Sequence, residues 1–291
     1  MEKNYVVMTD SSADLNPALE QELGVDIIPL SVNCGDRTFL DYPDEREIKT
    51  SEFYGMLRSG ANAKTAAANV ETFLTAMSRH LEQGKDVLYL GFSSGLSSTY
   101  SASEIAAQEL RERYPERKVL TVDTLCASLG QGLLVWLTVQ ELKHGATLEE
   151  AAKYAEDNRL HLCHWFTVDD LFFLKRGGRV SAATALVGSA LGIKPVLHVD
   201  NEGHLINVSK ARGRKNSILA LADRMERSAI EPEKQTVFIS HGDCLADAEF
   251  LAQEVRRRLH VPRIEINYVG PVIGAHSGPG TLALFFLGTA R

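Results

Sequence analysis

Five hydroxyl-bearing residues stand in the seven positions 93–99: Ser93, Ser94, Ser97, Ser98 and Thr99. A helix start uses one such side chain as its cap, so a run this dense points to a bound ligand. Hydroxyls combined with free backbone N–H groups at a helix start hold an anion without any formal positive charge. Related loops are Thr9-Asp10-Ser11-Ser12-Ala13-Asp14, Ala63-Lys64-Thr65-Ala66 and Asp123-Thr124. In these, Asp14 and Asp123 read as caps or turn formers. Near the C-terminus, Gly270-Pro-Val-Ile-Gly274-Ala-His276-Ser277-Gly-Pro-Gly280-Thr281 sets one histidine among four glycines and two prolines. That composition specifies a fixed backbone path, in which His276 and neighbouring hydroxyls could meet a carboxylate. An apolar helix, Leu282–Leu287, is expected to follow.

The same residues carry a second chemistry. Gly91-Phe92-Ser93-Ser94-Gly95 matches the G-x-S-x-G nucleophile elbow, and Asp243 and His276 follow in the chain order of an α/β-hydrolase triad. A serine hydrolase or esterase using Ser93, Asp243 and His276 is therefore the alternative reading. Against it, Gly95-Leu96-Ser97-Ser98 separates the motif from the helical pattern, and Asp243 sits where the helix from Leu245 needs an N-cap. His161-Leu-Cys163-His164 resembles part of a metal site, but no second cluster completes four ligands, so no metal is expected. Asp169-Asp170 reads as the cap of a short helix over Leu171–Lys175 that Gly177-Gly178 ends, leaving Arg176 or Arg179 to bring charge near a ligand. No Walker or dinucleotide fingerprint occurs, and no cofactor is expected.

Positioning these loops requires strands that end at them. Tyr5–Met8, Ile27–Leu30, Val87–Leu90 and Val119–Val122 read as strands; helices are expected near 14–23, 51–59, 70–83, 99–114, 127–144 and 148–159. This alternation implies an α/β fold with a mainly parallel sheet flanked by helices. After about residue 160 the pattern changes to Phe166–Val168, Pro195–Val199, Leu205–Val208, Val237–Ser240 and Ile264–Val269. Helices near 212–227 and 245–260 accompany them, and Asp200-Asn-Glu-Gly203 signals a hairpin turn. Two domains are expected: residues 1–160, and an α+β domain with antiparallel strands over 161–291, the length exceeding one ordinary core.

Composition narrows the function. At 291 residues with a formal charge of −7, the chain lacks the cationic field of a general nucleic-acid binder. No apolar run reaches the ~18 residues of a membrane span, and the first residues show no secretion signal. Cys34, Cys126, Cys163 and Cys244 are scattered, which fits small buried thiols in a reducing cytoplasm.

Taken in order, Thr9-Asp-Ser-Ser-Ala-Asp-Leu15, Phe92-Ser-Ser-Gly-Leu-Ser-Ser-Thr-Tyr100, Phe166-Thr-Val-Asp-Asp-Leu171, Lys175-Arg-Gly-Gly-Arg-Val-Ser181, Lys194-Pro-Val-Leu197 and Gly270–Thr281 resemble the DegV family. Its members include the fatty-acid-binding subunits of bacterial fatty acid kinase. The resemblance implies one long-chain fatty acid in a buried tunnel at or near the domain junction. Its carboxylate would meet Thr65, Ser93 or Ser94, and His276, with Ser97, Arg176, Gly274 and Ser277 as further candidates. A separate ATP-dependent kinase subunit would make the acyl phosphate, so this chain would carry substrate and catalyse nothing. Transient membrane contact would serve lipid exchange. Two departures stand out: Ala66-Ala67-Ala68-Asn69 replaces a usual polar stretch, and Ser98 a usual glycine. An acyl chain gains about 0.8 kcal/mol per buried CH2. Wall candidates are Phe92, Leu171, Phe172, Phe173, Leu186, Val187, Leu191, Leu284, Phe285 and Phe286. Arg212, Arg214 and Lys215 form a basic cluster suited to docking the kinase.

Overall fold

The computed structural model describes residues 4–181 and 192–291; Leu186, Val187 and Leu191 lie outside them. Four early apolar runs form parallel strands β1 (Tyr5–Asp10), β2 (Asp26–Ile28), β6 (Asp86–Gly91) and β7 (Val119–Asp123), in the order β2-β1-β6-β7. Val87 to Leu90 are wholly buried, as a parallel strand covered by helices on both faces requires. Local chemistry sets the helix ends. Asn16 accepts from Leu19 N at 2.9 Å, Pro17 opens the helix Pro17–Leu23, and Gly24 closes it at φ +64°. The expected start near residue 14 is thus too early, because Ser11–Ala13 forms a separate 3-10 turn. The helix Val70–Leu81 buries Phe73, Met77 and Leu81, four residues apart on one face.

Between these elements lies a small antiparallel sheet absent from the sequence expectation: β3 (Ser31–Cys34), β4 (Arg37–Leu40) and β5 (Ala63–Ala66), in the order β4-β3-β5. Val32 pairs with Thr65 in this sheet, which fixes Thr65 on a strand.

The C-terminal half builds one sheet of β8 (Leu162–Thr167), β9 (Ile193–Val199), β10 (Leu205–Arg212), β11 (Thr236–His241), β12 (Arg263–Tyr268) and β13 (Leu282–Leu287). Its order is β10-β9-β8-β13-β11-β12, antiparallel except for β11 with β12. The β9–β10 hairpin turns as expected, with Asp200 Oδ1 accepting from Glu202 N and His204 N, both at 2.9 Å. Two expectations are corrected. Leu282–Leu287 is a central strand and no helix: Ala283 and Phe285 pack into one core, Leu282, Leu284 and Phe286 into another. The glycine-rich stretch before it contains a helix, Pro271–Ser277, opened by Gly270 and Pro271.

A helix over Leu129–Lys143 joins the two larger sheets. Its residues Leu129, Leu133, Leu134, Val135 and Val139 are buried, consistent with a helix apolar on all sides. One core therefore runs from Val7, Leu88 and Leu90 through Leu133 to Phe166, Leu197 and Phe285.

Candidate functional site

A cavity of about 360 Å3 opens in this core, walled by residues of the six-stranded sheet, of the loops that follow the parallel strands, of β5 and of the helix Pro271–Ser277. Its size is that of a small-molecule site. Phe92, Phe166 and Phe285 supply aromatic wall, with Ala66 and Ala67 beside Thr65. The alanines that replace the usual polar stretch are thus apolar wall. Because β13 is a strand, every second residue reaches the cavity: Ala283 and Phe285 do, whereas Leu284 and Phe286 face the other core.

Thr65 and His276 meet there. Thr65 Oγ1 lies 2.7 Å from His276 Nε2, one from β5, the other from the last turn of Pro271–Ser277. Burial pushes His276 down to about 4, with the Arg179 charge adding to the effect, so the imidazole is neutral at pH 7. Arg179 also lines the cavity, donating to the Leu96 carbonyl at 3.0 Å and to that of Gly177. Ser97, Ser98 and Ser277 complete this polar end, and the buried Ser277 Oγ has no hydrogen-bond partner among the described residues. Among the described lining residues Arg179 is the one formal charge, and none is a carboxylate. Such a wall accepts an anionic head followed by an apolar chain.

Other expected site residues stand elsewhere. The Ser93 hydroxyl is wholly buried, donates to the Gly203 carbonyl at 2.9 Å and does not line the cavity. It fastens its loop to the β9–β10 hairpin. Ser94 is exposed, with its N–H on Asp123 Oδ1 at 3.2 Å. Arg176 is exposed and stacks on Phe173, its guanidinium carbon 4.5 Å from the ring centroid, so of the two arginines Arg179 is the one that lines the cavity. Gly274 is a close-approach position: an added Cβ would stand 2.7 Å from the Tyr54 hydroxyl. Leu171 is core beside the cavity, and Phe172 is 45% exposed, which removes it from the wall. Arg214 is taken up by ion pairs with Asp247 at 2.8 Å and Asp169 at 3.7 Å, while Arg212 is exposed.

The hydrolase constellation is not assembled. His276 is paired with Thr65, Ser93 with Gly203, and Asp243 with Arg58. Asp243 is not the cap of its helix either, since Cys244 occupies that position. His164 serves as wall: its Nδ1 contacts the Leu162 carbonyl at 3.0 Å, and its ring stands edge-on to Phe285. The sequence did not single out Ser128, Ser240, Ile273 or Thr281, which line the cavity. The period-2 pattern of a strand would have signalled Ser240, with Phe238 as its same-face neighbour.

The model of the family described as "Uncharacterised protein, DegV family" matches residues 4–289. The chain belongs to the DegV family. A DegV domain-containing protein of Clostridium perfringens is 44% identical over 289 residues, 99% of each chain. Among solved DegV structures, a lipid binding protein from Thermotoga maritima superposes with a TM-score of 0.87 at 31% identity, covering 99% of each chain. A DegV family protein from Thermus thermophilus, described by its fatty acid binding, gives 0.84 at 33% identity over 97% of this chain and 98% of its own.

Proposed function

We propose that this chain binds one long-chain fatty acid in the cavity and holds its carboxylate at the polar end. The observation that carries this reading is the wall itself: aromatic and aliphatic over most of its extent, with hydroxyls, two neutral imidazoles, one guanidinium and no carboxylate among the described residues. The solved relatives from Thermotoga maritima and Thermus thermophilus, with their lipid and fatty acid binding, support it. Thr65 donates to the head group, His276 orients Thr65, and Arg179, Ser97 and Ser277 supply the remaining polar contacts. Ser93 acts by positioning its loop. Residues 1–160 and 161–291 are read as two domains whose junction holds the lipid.

On this reading the chain is a carrier. It performs no chemistry on the acyl chain, works in the cytoplasm, and offers the bound carboxylate to a separate ATP-dependent kinase subunit for acyl-phosphate formation. Arg212, exposed on β10, remains a candidate contact for that subunit. Among the described residues no helix is long and apolar enough to cross a membrane, so lipid exchange would rest on transient contact with a bilayer.

The decisive experiment is extraction of the purified protein followed by mass spectrometry, which should release a fatty acid in near-stoichiometric amount. A delipidated sample should regain it and melt higher on adding oleate or palmitate, because the folded state alone binds. No extracted lipid and no thermal response would end the reading. The carrier step is tested separately, by hydroxylamine trapping of an acyl phosphate formed with a kinase subunit and ATP.

A further inference from the structure

The cavity has a second polar point, on elements that carry none of the head-group residues. Ser128 reaches it from the position before the helix Leu129–Lys143, and Ser240 from β11. Their hydroxyl oxygens lie 2.9 Å apart, and the Ser128 hydroxyl also bonds to Asp14 Oδ2. A hydroxyl has one proton and two lone pairs. Either serine can donate in that bond, and in both cases Ser240 Oγ keeps a lone pair. Ser240 Oγ is then left with acceptor capacity on an otherwise apolar stretch: Ala283 pairs with Ser240 across β13, and Phe166 pairs with Ala283.

Ordinary structural duties do not account for the pair. Ser128 occupies the cap position of its helix, yet its side chain makes no capping hydrogen bond. Its backbone, at φ 56° and ψ −151°, is in a region that side-chain-bearing residues rarely adopt. A core position filled for packing alone would take alanine or valine and strand no acceptor.

We propose that Ser128 and Ser240 form a second recognition point for the acyl chain, making a chain-hydroxylated long-chain fatty acid the preferred ligand of this cavity. The inference rests on the fatty-acid reading and narrows it. The ligand hydroxyl donates to Ser240 Oγ, which its bond to Ser128 holds in place. A plain chain leaves Ser240 Oγ without a ligand partner.

Delipidated protein would be titrated, by displacement of a fluorescent fatty acid, with stearate and with a positional series of mid-chain monohydroxystearates. At least one isomer is expected to bind about three- to tenfold more tightly than stearate, the range of one neutral hydrogen bond. Ser240→Ala should erase that margin, bringing the preferred isomer and stearate to equal affinity. Ser240→Cys, a weak acceptor of similar size, carries the comparison should the alanine variant not fold. If no isomer exceeds stearate, or if the margin survives both substitutions, the inference is overturned and fatty-acid binding stands. If wild-type protein binds neither stearate nor any hydroxystearate, the reading beneath it falls as well.

Discussion

A neutral imidazole has one proton to give, and where it goes decides what Thr65 can do. With the proton on Nε2, His276 donates to Thr65 Oγ1, and the threonine proton is free for a carboxylate. Thr65→Val keeps the shape and removes that donor, so fatty-acid affinity should fall about three- to tenfold. His276→Ala should act in the same direction, and the double variant should cost clearly less than the two losses added, since both break one relay. Additive losses in a displacement assay would show that the two residues act independently. The depressed His276 also makes stability depend on pH. Its folded value of about 4 lies below the ordinary 6.5, so between those values the unfolded chain binds more protons. The stability contributed by the neutral imidazole is complete above about pH 6.5 and is lost as pH falls toward 4. Comparing thermal melts of wild type and His276→Gln at pH 7.5 and 4.5 should show the wild type losing on the order of 1–2 kcal/mol more across that interval. Equal losses would place His276 in a more solvated setting than the cavity wall.

Elements bring these residues together, and they were legible to different degrees. The parallel strands were readable because runs such as Val87–Leu90 are apolar, short and followed by turns. Leu282–Leu287 was not, since six consecutive apolar residues show no period to separate strand from helix. Calling it a helix placed Leu284 and Phe286 on the cavity wall; the strand sends them to the other core. Ala63–Ala66 gave no strand signal either, because alanine and lysine are poor strand formers and its pairing with β3 is a tertiary matter. Ser97 and Ser98 of the hydroxyl-rich loop line the cavity, yet which serine points inward depends on the loop's anchorage to Gly203. Arg176 and Arg179 could not be ranked from a glycine pair alone. The helix Leu171–Arg176 ends at Gly177, directly beside His276. An added Cβ there would overlap Nδ1 of the imidazole, while the backbone at φ −74° tolerates alanine. Gly177→Ala should therefore displace His276 and weaken fatty-acid binding by about tenfold, with a melting temperature of the lipid-free protein close to wild type. Unchanged affinity would mean that the position of this ring does not matter to the ligand.

At the scale of the whole molecule the proposed ligand would complete the core. The helix Leu129–Lys143 and the buried residues around it join the parallel sheet to the six-stranded sheet, and the cavity lies in that shared core. With a net charge of −7, the chain as a whole offers an anionic lipid no general attraction, so on the proposed reading burial of the acyl chain would supply most of the affinity. Each CH2 contributes about 0.8 kcal/mol, and ligand at a hundred times its dissociation constant should stabilise the fold by about 2.7 kcal/mol. Ala283 tests the connection between cavity and stability, because it lines the cavity from near the start of β13, paired on either side with Phe166 and Ser240. Ala283→Leu adds bulk into empty space, not into a packed contact, so the lipid-free protein should melt within a few degrees of wild type. The thermal shift on adding oleate, by contrast, should largely vanish, because the added side chain occupies volume the acyl chain needs. A full oleate shift in Ala283→Leu would mean that the lipid stabilises the fold from some other place.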